Sequence, residues 1–280
     1  IASSGLSGCD TALLYLSVPK EKAIGAFGRM SMFGTLGMCC ASLSFSLFFS
    51  HDLRGAALWT AIMYFVSFVI SFFLVDVKEE KKEQEAKNSL LQTALTCKKM
   101  LPVLIASLLL TESMHTLTTY YNQLQYESVG IPVQWFGILF MIMNLVSLST
   151  GLLDTITKRI QRDHFMMVIF TFSAILSISI IFTHSAILSV VIFACMVCAE
   201  SMTYALMNDI QNESIDGTPR ASTLSLYSLF QHLGMFATGI SFGFAADHSL
   251  AAAYGLSAVF CVIGLFSYIF WYKNRSMLVK

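Results

Sequence analysis

The stretch Phe165-Met-Met-Val-Ile-Phe-Thr-Phe-Ser-Ala-Ile-Leu-Ser-Ile-Ser-Ile-Ile-Phe182 carries no charge, and after only Thr183-His-Ser185 a second uncharged run begins at Ala186 and lasts to Ala199. A bilayer core about 30 Å thick is crossed by about 20 apolar residues in helical form. Inside lipid a segment of this kind must satisfy its own backbone hydrogen bonds, which a helix does. Working outward, similar runs occur at 30–49, 55–75, 102–124, 133–153, 186–208, 221–245 and 250–271, which with 165–182 makes eight full spans. Residues 1–16 read as the end of one more. Eight such runs could not all be buried inside a soluble fold of 280 residues. The expected fold class is therefore an all-α polytopic membrane protein.

The basic residues set an orientation. All 17 Lys and Arg lie outside the apolar runs. Lys20, Lys22 and Arg29, then Lys78, Lys81, Lys82, Lys87, Lys98 and Lys99, then Lys158, Arg159 and Arg162, then Arg220, and finally Lys273, Arg275 and Lys280 fall on one side of the alternating spans. Only Arg54 falls on the other. Loops rich in Lys and Arg stay in the cytoplasm, so the long loop 76–101 and the C-terminal tail are expected there, in a multi-pass protein of the plasma membrane. Trp59, Trp135 and Trp271 stand near span ends, where amphipathic rings favour the interface. Net charge is zero, so there is no electrostatic case for nucleic acid. Six of the seven Cys lie in apolar segments and Cys97 in the long loop, none placed for an extracellular disulfide. Cys195-x-x-Cys198 has no second pair or His partner and reads as small helix-packing surface, with no metal expected.

The chain also repeats itself. Ser7-Gly-Cys-Asp-Thr-Ala-Leu-Leu-Tyr15 ends a span, and a polar loop then runs to Arg29. Ala199-Glu-Ser-Met-Thr-Tyr-Ala-Leu-Met-Asn208 ends another, and its loop runs to Arg220, an offset of 191 residues. The same offset carries span 55–75 onto 246–266, close to the last span. Parallel repeats joined by a long cytoplasmic loop mark one large class of secondary transporters.

On these residues the chain resembles a major facilitator superfamily transporter. The segment Ser7-Gly8-x-Asp10-x-Ala12-Leu13-Leu14-Tyr15 is similar to a fourth-helix pattern of bacterial drug- and macrolide-exporter-like members, and Arg220-Ala-Ser-Thr-Leu-Ser225 is similar to the start of their eleventh helix. Gly151-Leu-Leu-Asp154 with Lys158-Arg159 resembles a degraded copy of the loop motif between helices eight and nine. Leu16 stands where that group has Asp, and span 30–49 lacks the Gly-Pro-x-x-Gly-Gly run of drug/proton antiporters. The resemblance implies that the spans are helices four, in part, to twelve, with helices one to three missing upstream. It implies a remnant of the N-terminal bundle at 1–75, a central cytoplasmic loop at 76–101 with an amphipathic surface helix, a six-helix C-terminal bundle at 102–272 and a tail at 273–280. It also implies that helices four, seven and ten line a central cavity.

Acids at mid-span are costly, about 2.5–3.5 kcal/mol on insertion scales, and persist where they face a cavity, a partner or a path. Here they are Glu112 and Glu200, with Asp10 near a span end, and His115 and His232 accompany them. Asp10, Glu112 and Glu200 fall on the three helices that the resemblance assigns to the cavity. Glu112 and His115 are one turn apart and share a helix face, a pair suited to loading and releasing a proton. Glu200, Thr203, Tyr204, Met207 and Asn208 form a polar stripe at three- and four-residue spacing. Asn144 and Gln231-His232 are further cavity candidates, and Gly239-Ile-Ser-Phe-Gly243 offers a small face for close helix approach.

No phosphate-cradling glycine loop and no nucleophile–base–acid arrangement is present, so neither ATP drive nor enzymatic activity is expected, and no cofactor. The expected function is secondary active transport by alternating access, with export of a small apolar or drug-like molecule and protons as a coupling ion. Nutrient uptake and a non-transporting relative are the alternatives. The expected partners are that small molecule, protons and membrane lipid, with a monomer when the chain is full length.

Overall fold

The computed structural model describes residues 23–73, 86–147, 150, 153–213 and 220–278. Asp10 and the Ser7–Tyr15 segment lie outside the described residues, as do Gly151 and Leu152. The described chain is helical throughout, with no strand. In order, α1 is Ala23–Ser44, α2 Leu53–Ser71, α3 Ala86–Thr116, α4 Asn122–Ser128, α5 Phe136–Ser147, α6 Leu153–Arg159, α7 Arg162–Ser179, α8 Ala186–Glu213, α9 Arg220–His248 and α10 Leu250–Leu278. Wider π turns at Phe45–Phe49 and Leu117–Tyr121 extend α1 and join α3 to α4.

Each of the eight expected spans overlaps a helix. Among the described residues five helical runs are long and apolar enough to cross a membrane: Leu53–Ser71, Lys98–Ser128, Arg162–Phe182, Ala186–Gln211 and Leu250–Asn274. Leu36–Phe49 and Val133–Ser147 are shorter apolar helices. Helix α9 is 29 residues long but more polar, with Ser225, Ser228, Gln231 and His232 in its first half. One expectation changes: the amphipathic segment before Lys98 is not a separate surface helix. It runs unbroken into the next span as α3, because its Leu, Gln, Ala and Lys residues are good helix formers and the lone Pro102 does not stop the helix.

The chain divides into two compact units, residues 1–84 with 133–144, and residues 85–132 with 145–280. In the first, α5 starts against the end of α1. The backbone N–H of Ile138, in the first turn of α5 and so without a partner in its own helix, donates to Ser46 Oγ at 3.1 Å. Gly137 makes this approach possible, since a side chain there would strike the Ser42 carbonyl and the Ser46 hydroxyl. Asp52 caps α2 by accepting from the Gly55 N–H at 2.9 Å, and no residue of α2 is buried.

In the second unit α3 is the hub, packed against α8, α9 and α10, and α10 also packs along α7. Val103, Ala106, Leu110 and Met114 of α3 and Leu117 of the π turn are buried, as are Phe170, Phe193, Tyr254 and Cys261 elsewhere in the unit. Lipid offers no hydrophobic force between helices, so close packing and polar pairs hold them. Ser177 and Ser257 hydroxyls meet at 2.9 Å between α7 and α10, and Ser267 Oγ donates to the Pro102 carbonyl at 2.8 Å. Gly264 of α10 is where a Cβ would press on Phe170 and lie near the Ala106 carbonyl. Gly239 and Gly243 have open space around them among the described residues, so the expected close approach lies instead at Gly264 and at Gly234, beside Leu108.

The ends of the second unit are tied by charge and hydrogen bonds. Arg162 Nη1 lies 2.7 Å from both Asp209 Oδ2 and Glu213 Oε2, pinning the start of α7 to the end of α8. Tyr268 OH donates to the buried Asp163 carboxylate at 2.8 Å. At the opposite end Gln125 Nε2 donates to the Thr183 carbonyl at 3.1 Å, and the turn after α4 is closed by the Ile131 N–H donating to the Tyr126 carbonyl at 2.8 Å, with Gly130 in the left-handed region at φ 79°.

Candidate transport cleft

A cleft of about 630 Å³ opens in the second unit between α3, α8 and α9, with Ser147 and Thr150 at one edge. Its size falls within the range of small-molecule pockets, roughly 300–1,000 Å³. Helix α3 contributes Ser107, Thr111, Glu112 and His115; α8 contributes Glu200, Ser201, Tyr204, Ala205, Met207, Asn208 and Gln211; α9 contributes Gln231 and Met235. Among the described residues no Lys or Arg lines it.

The two acids differ in their surroundings. Glu200 bridges helices: its Oε1 is 3.0 Å from His115 Nδ1, and its Oε2 is 3.0 Å from Thr118 Oγ1 in the π turn. Thr118 Oγ1 also lies 2.8 Å from the Met114 carbonyl. A hydroxyl has one proton to give, so Thr118 donates either to the carboxylate or to the carbonyl. When it turns to the carbonyl, the contact with Glu200 is satisfied by a protonated carboxyl donating to Thr118. The cluster therefore has a complete hydrogen-bond pattern with Glu200 charged and another with it neutral. Thr119 Oγ1, 3.4 Å from His115 Nδ1, gives the imidazole a second neighbour.

Glu112, one turn before His115, is half-buried and makes no hydrogen bond with a described residue. His232 is exposed, and its Nδ1 is bonded 2.7 Å from its own helix's Ser228 carbonyl.

Of the residues singled out in the sequence, Glu112, His115, Glu200, Tyr204, Met207, Asn208 and Gln231 come together in the cleft. Thr203 does not: it is buried on the packed side of α8 and donates to the Ala199 carbonyl at 2.7 Å. Asn144 belongs to the first unit and donates to the Phe140 carbonyl at 2.8 Å. Asp10 lies outside the described residues. Within the cleft His115 is bonded to Glu200 and not to its helix neighbour Glu112. Beyond Ser201, next to Glu200 in sequence, sequence reasoning passed over five polar residues of the lining: Ser107, Thr111, Ser147, Thr150 and Gln211. Ser107, Thr111 and His115 recur every four residues, and Asn208 and Gln211 continue the stripe of α8, so helical spacing was the signal available for three of the five.

Among the described residues the fold is all-α, with five helical runs long and apolar enough to cross a membrane and a polar cleft between three helices. The Major Facilitator Superfamily profile matches residues 1–239, and the chain belongs to that superfamily of membrane transporters. No curated protein matches it.

Proposed function

We propose that this protein is a secondary active transporter that exports a small drug-like molecule by alternating access and couples the movement to protons through Glu200. Carriers of this class work by rocking helical bundles about a site at mid-membrane. The observation that carries the proposal is Glu200 itself, an acid held across α3 and α8 by His115 and Thr118 at 3.0 Å each, in a cleft and with two complete bonding patterns. Gaining or losing a proton at Glu200 changes which helix contacts are favoured, which is what a coupling site must do. Tyr204, Met207 and Met235 supply an adaptable apolar wall beside the polar groups. The excess of Lys and Arg on one side supports a cytoplasmic C-terminus.

The test is ethidium movement in proteoliposomes of the full chain under an imposed pH gradient. Gradient-driven movement in the wild type, lost in Glu200→Gln while counterflow exchange of ethidium persists, is the expected result. Movement that ignores the gradient in both proteins would refute proton coupling, and no movement under any condition would refute transport of this substrate class.

A further inference from the structure

A groove of about 370 Å³ runs between α3 and α9 and shares no residue with the transport cleft. Helix α3 supplies Lys98, Leu101 and Leu104, and α9 supplies Leu226, Leu229, Phe230 and Leu233. The four α9 residues recur at three- and four-residue spacing, on a different face of that helix from Gln231 and Met235. Leu104 is fully buried at the base, while Leu101, Leu229 and Leu233 are exposed along the walls. We propose that this groove binds an anionic phospholipid of the cytoplasmic leaflet, one acyl chain lying on the leucines and the headgroup phosphate meeting Lys98.

The groove has one charged end, and it is the end a headgroup needs. The contacts of Ser107 with Gln231 and of Tyr121 with the Phe242 carbonyl advance together along α3 and α9, so the two helices run parallel. In that register Lys98 stands level with position 222, close to the start of α9 at Arg220 and before the first groove leucine, Leu226. Lys98 is also the first residue of the apolar run Lys98–Ser128, so its ammonium reaches the interface on the side where the basic residues gather. Lys99 beside it is exposed as well. From Lys98 to Leu104 the helix rises about 9 Å, over half of a leaflet whose hydrocarbon is about 15 Å deep. Other occupants fit less well. A polar solute has no partner along the leucines. A zwitterionic lipid offers Lys98 its phosphate, but its cationic group finds no carboxylate among the described residues of the lining. An apolar helix of a second copy covers the leucines and leaves the lysine charge unmatched. Basic pockets between helices on the cytoplasmic side are suited to anionic headgroups. The leaflet follows from the placement of the basic loops, whereas the headgroup preference depends neither on that placement nor on transport.

Brominated acyl chains quench tryptophan on contact, so a tryptophan in the groove reports which lipid sits there. The full chain, with Trp59, Trp135 and Trp271 replaced by Phe, carries one reporter: Leu229→Trp in the groove, or Phe266→Trp at an exposed position of α10. Each protein is placed in vesicles of phosphatidylglycerol and phosphatidylcholine in which one lipid or the other is dibrominated. At Leu229→Trp the anionic lipid is expected to be preferred about fivefold or more, the effect of one lysine on an anionic headgroup. At Phe266→Trp the two lipids are expected to quench alike. Lys98→Gln combined with Lys99→Gln is expected to abolish the preference at Leu229→Trp while quenching at Phe266→Trp stays unchanged, which separates loss of the headgroup contact from loss of the fold. Lys98→Arg keeps the preference. Equal quenching by the two lipids at Leu229→Trp with both lysines present would mean ordinary surrounding lipid only and would overturn the proposal. So would quenching by neither lipid, the sign of a groove filled by another helix of this chain or by a second copy. A preference that survives the loss of both lysines overturns it too.

Discussion

Thr118 is a small residue with a large consequence if Glu200 couples protons. Its hydroxyl reaches both the Met114 carbonyl of its own helix and the Glu200 carboxylate of α8, and it serves one at a time as donor. A net hydrogen bond is worth about 1 kcal/mol. Thr118→Val keeps the shape and removes the switchable proton. Gradient-driven flux is then expected to fall roughly fivefold, with solute exchange in the absence of a gradient little changed. Thr118→Ser restores the hydroxyl and the coupling. Equal losses in driven flux and exchange would show that Thr118 only holds the helices together. The pairing behind this prediction was not legible in the chain. Glu112 and His115 are neighbours on one helix by number alone, whereas the Glu200–His115 contact joins residues 85 apart and depends on how α3 and α8 pack.

At the scale of elements, apolar length and charge placement were enough to locate helices, because bilayer thickness fixes how long an uncharged run must be. Packing faces were harder to read. Gly239 and Gly243 have the spacing of a close-approach motif, yet neither has a neighbour within reach among the described residues, while the solitary Gly264 sits where α10 meets α7 and α3. A small residue permits contact and does not compel it; the partner surface decides. The difference is measurable. Phe170 is fully buried, so it has little room to yield to a methyl group at Gly264. Gly264→Ala is expected to cost about 1–3 kcal/mol through overpacking, lowering the thermal unfolding midpoint in detergent. Gly243→Ala, with no neighbour to strike, is expected to leave the midpoint unchanged or slightly raised, since Ala is the better helix former. A larger drop at Gly243 than at Gly264 would mean that the α9 face is the packed one.

For the whole molecule the orientation rests on sixteen basic residues against one, and it has a physical consequence for the cleft. The short turns after α4 and before α8 bear no Lys or Arg, while the segment leading into α7 carries Lys158, Arg159 and Arg162. Arg162 is additionally held by Asp209 and Glu213, so the basic end of α7 and the end of α8 lie on the same side of the membrane. Single cysteines in a Cys-free background test the assignment with a membrane-impermeant maleimide on intact cells. Ser128→Cys and Ser185→Cys, both at exposed positions, are expected to be labelled from outside. Ile160→Cys, exposed beside Arg159, is expected to react only after the membrane is opened. Labelling of Ile160→Cys on intact cells with protection of the other two would invert the protein. The Arg162 ion pairs would then face outward, and the proton gradient acting on Glu200 would favour uptake where export is proposed.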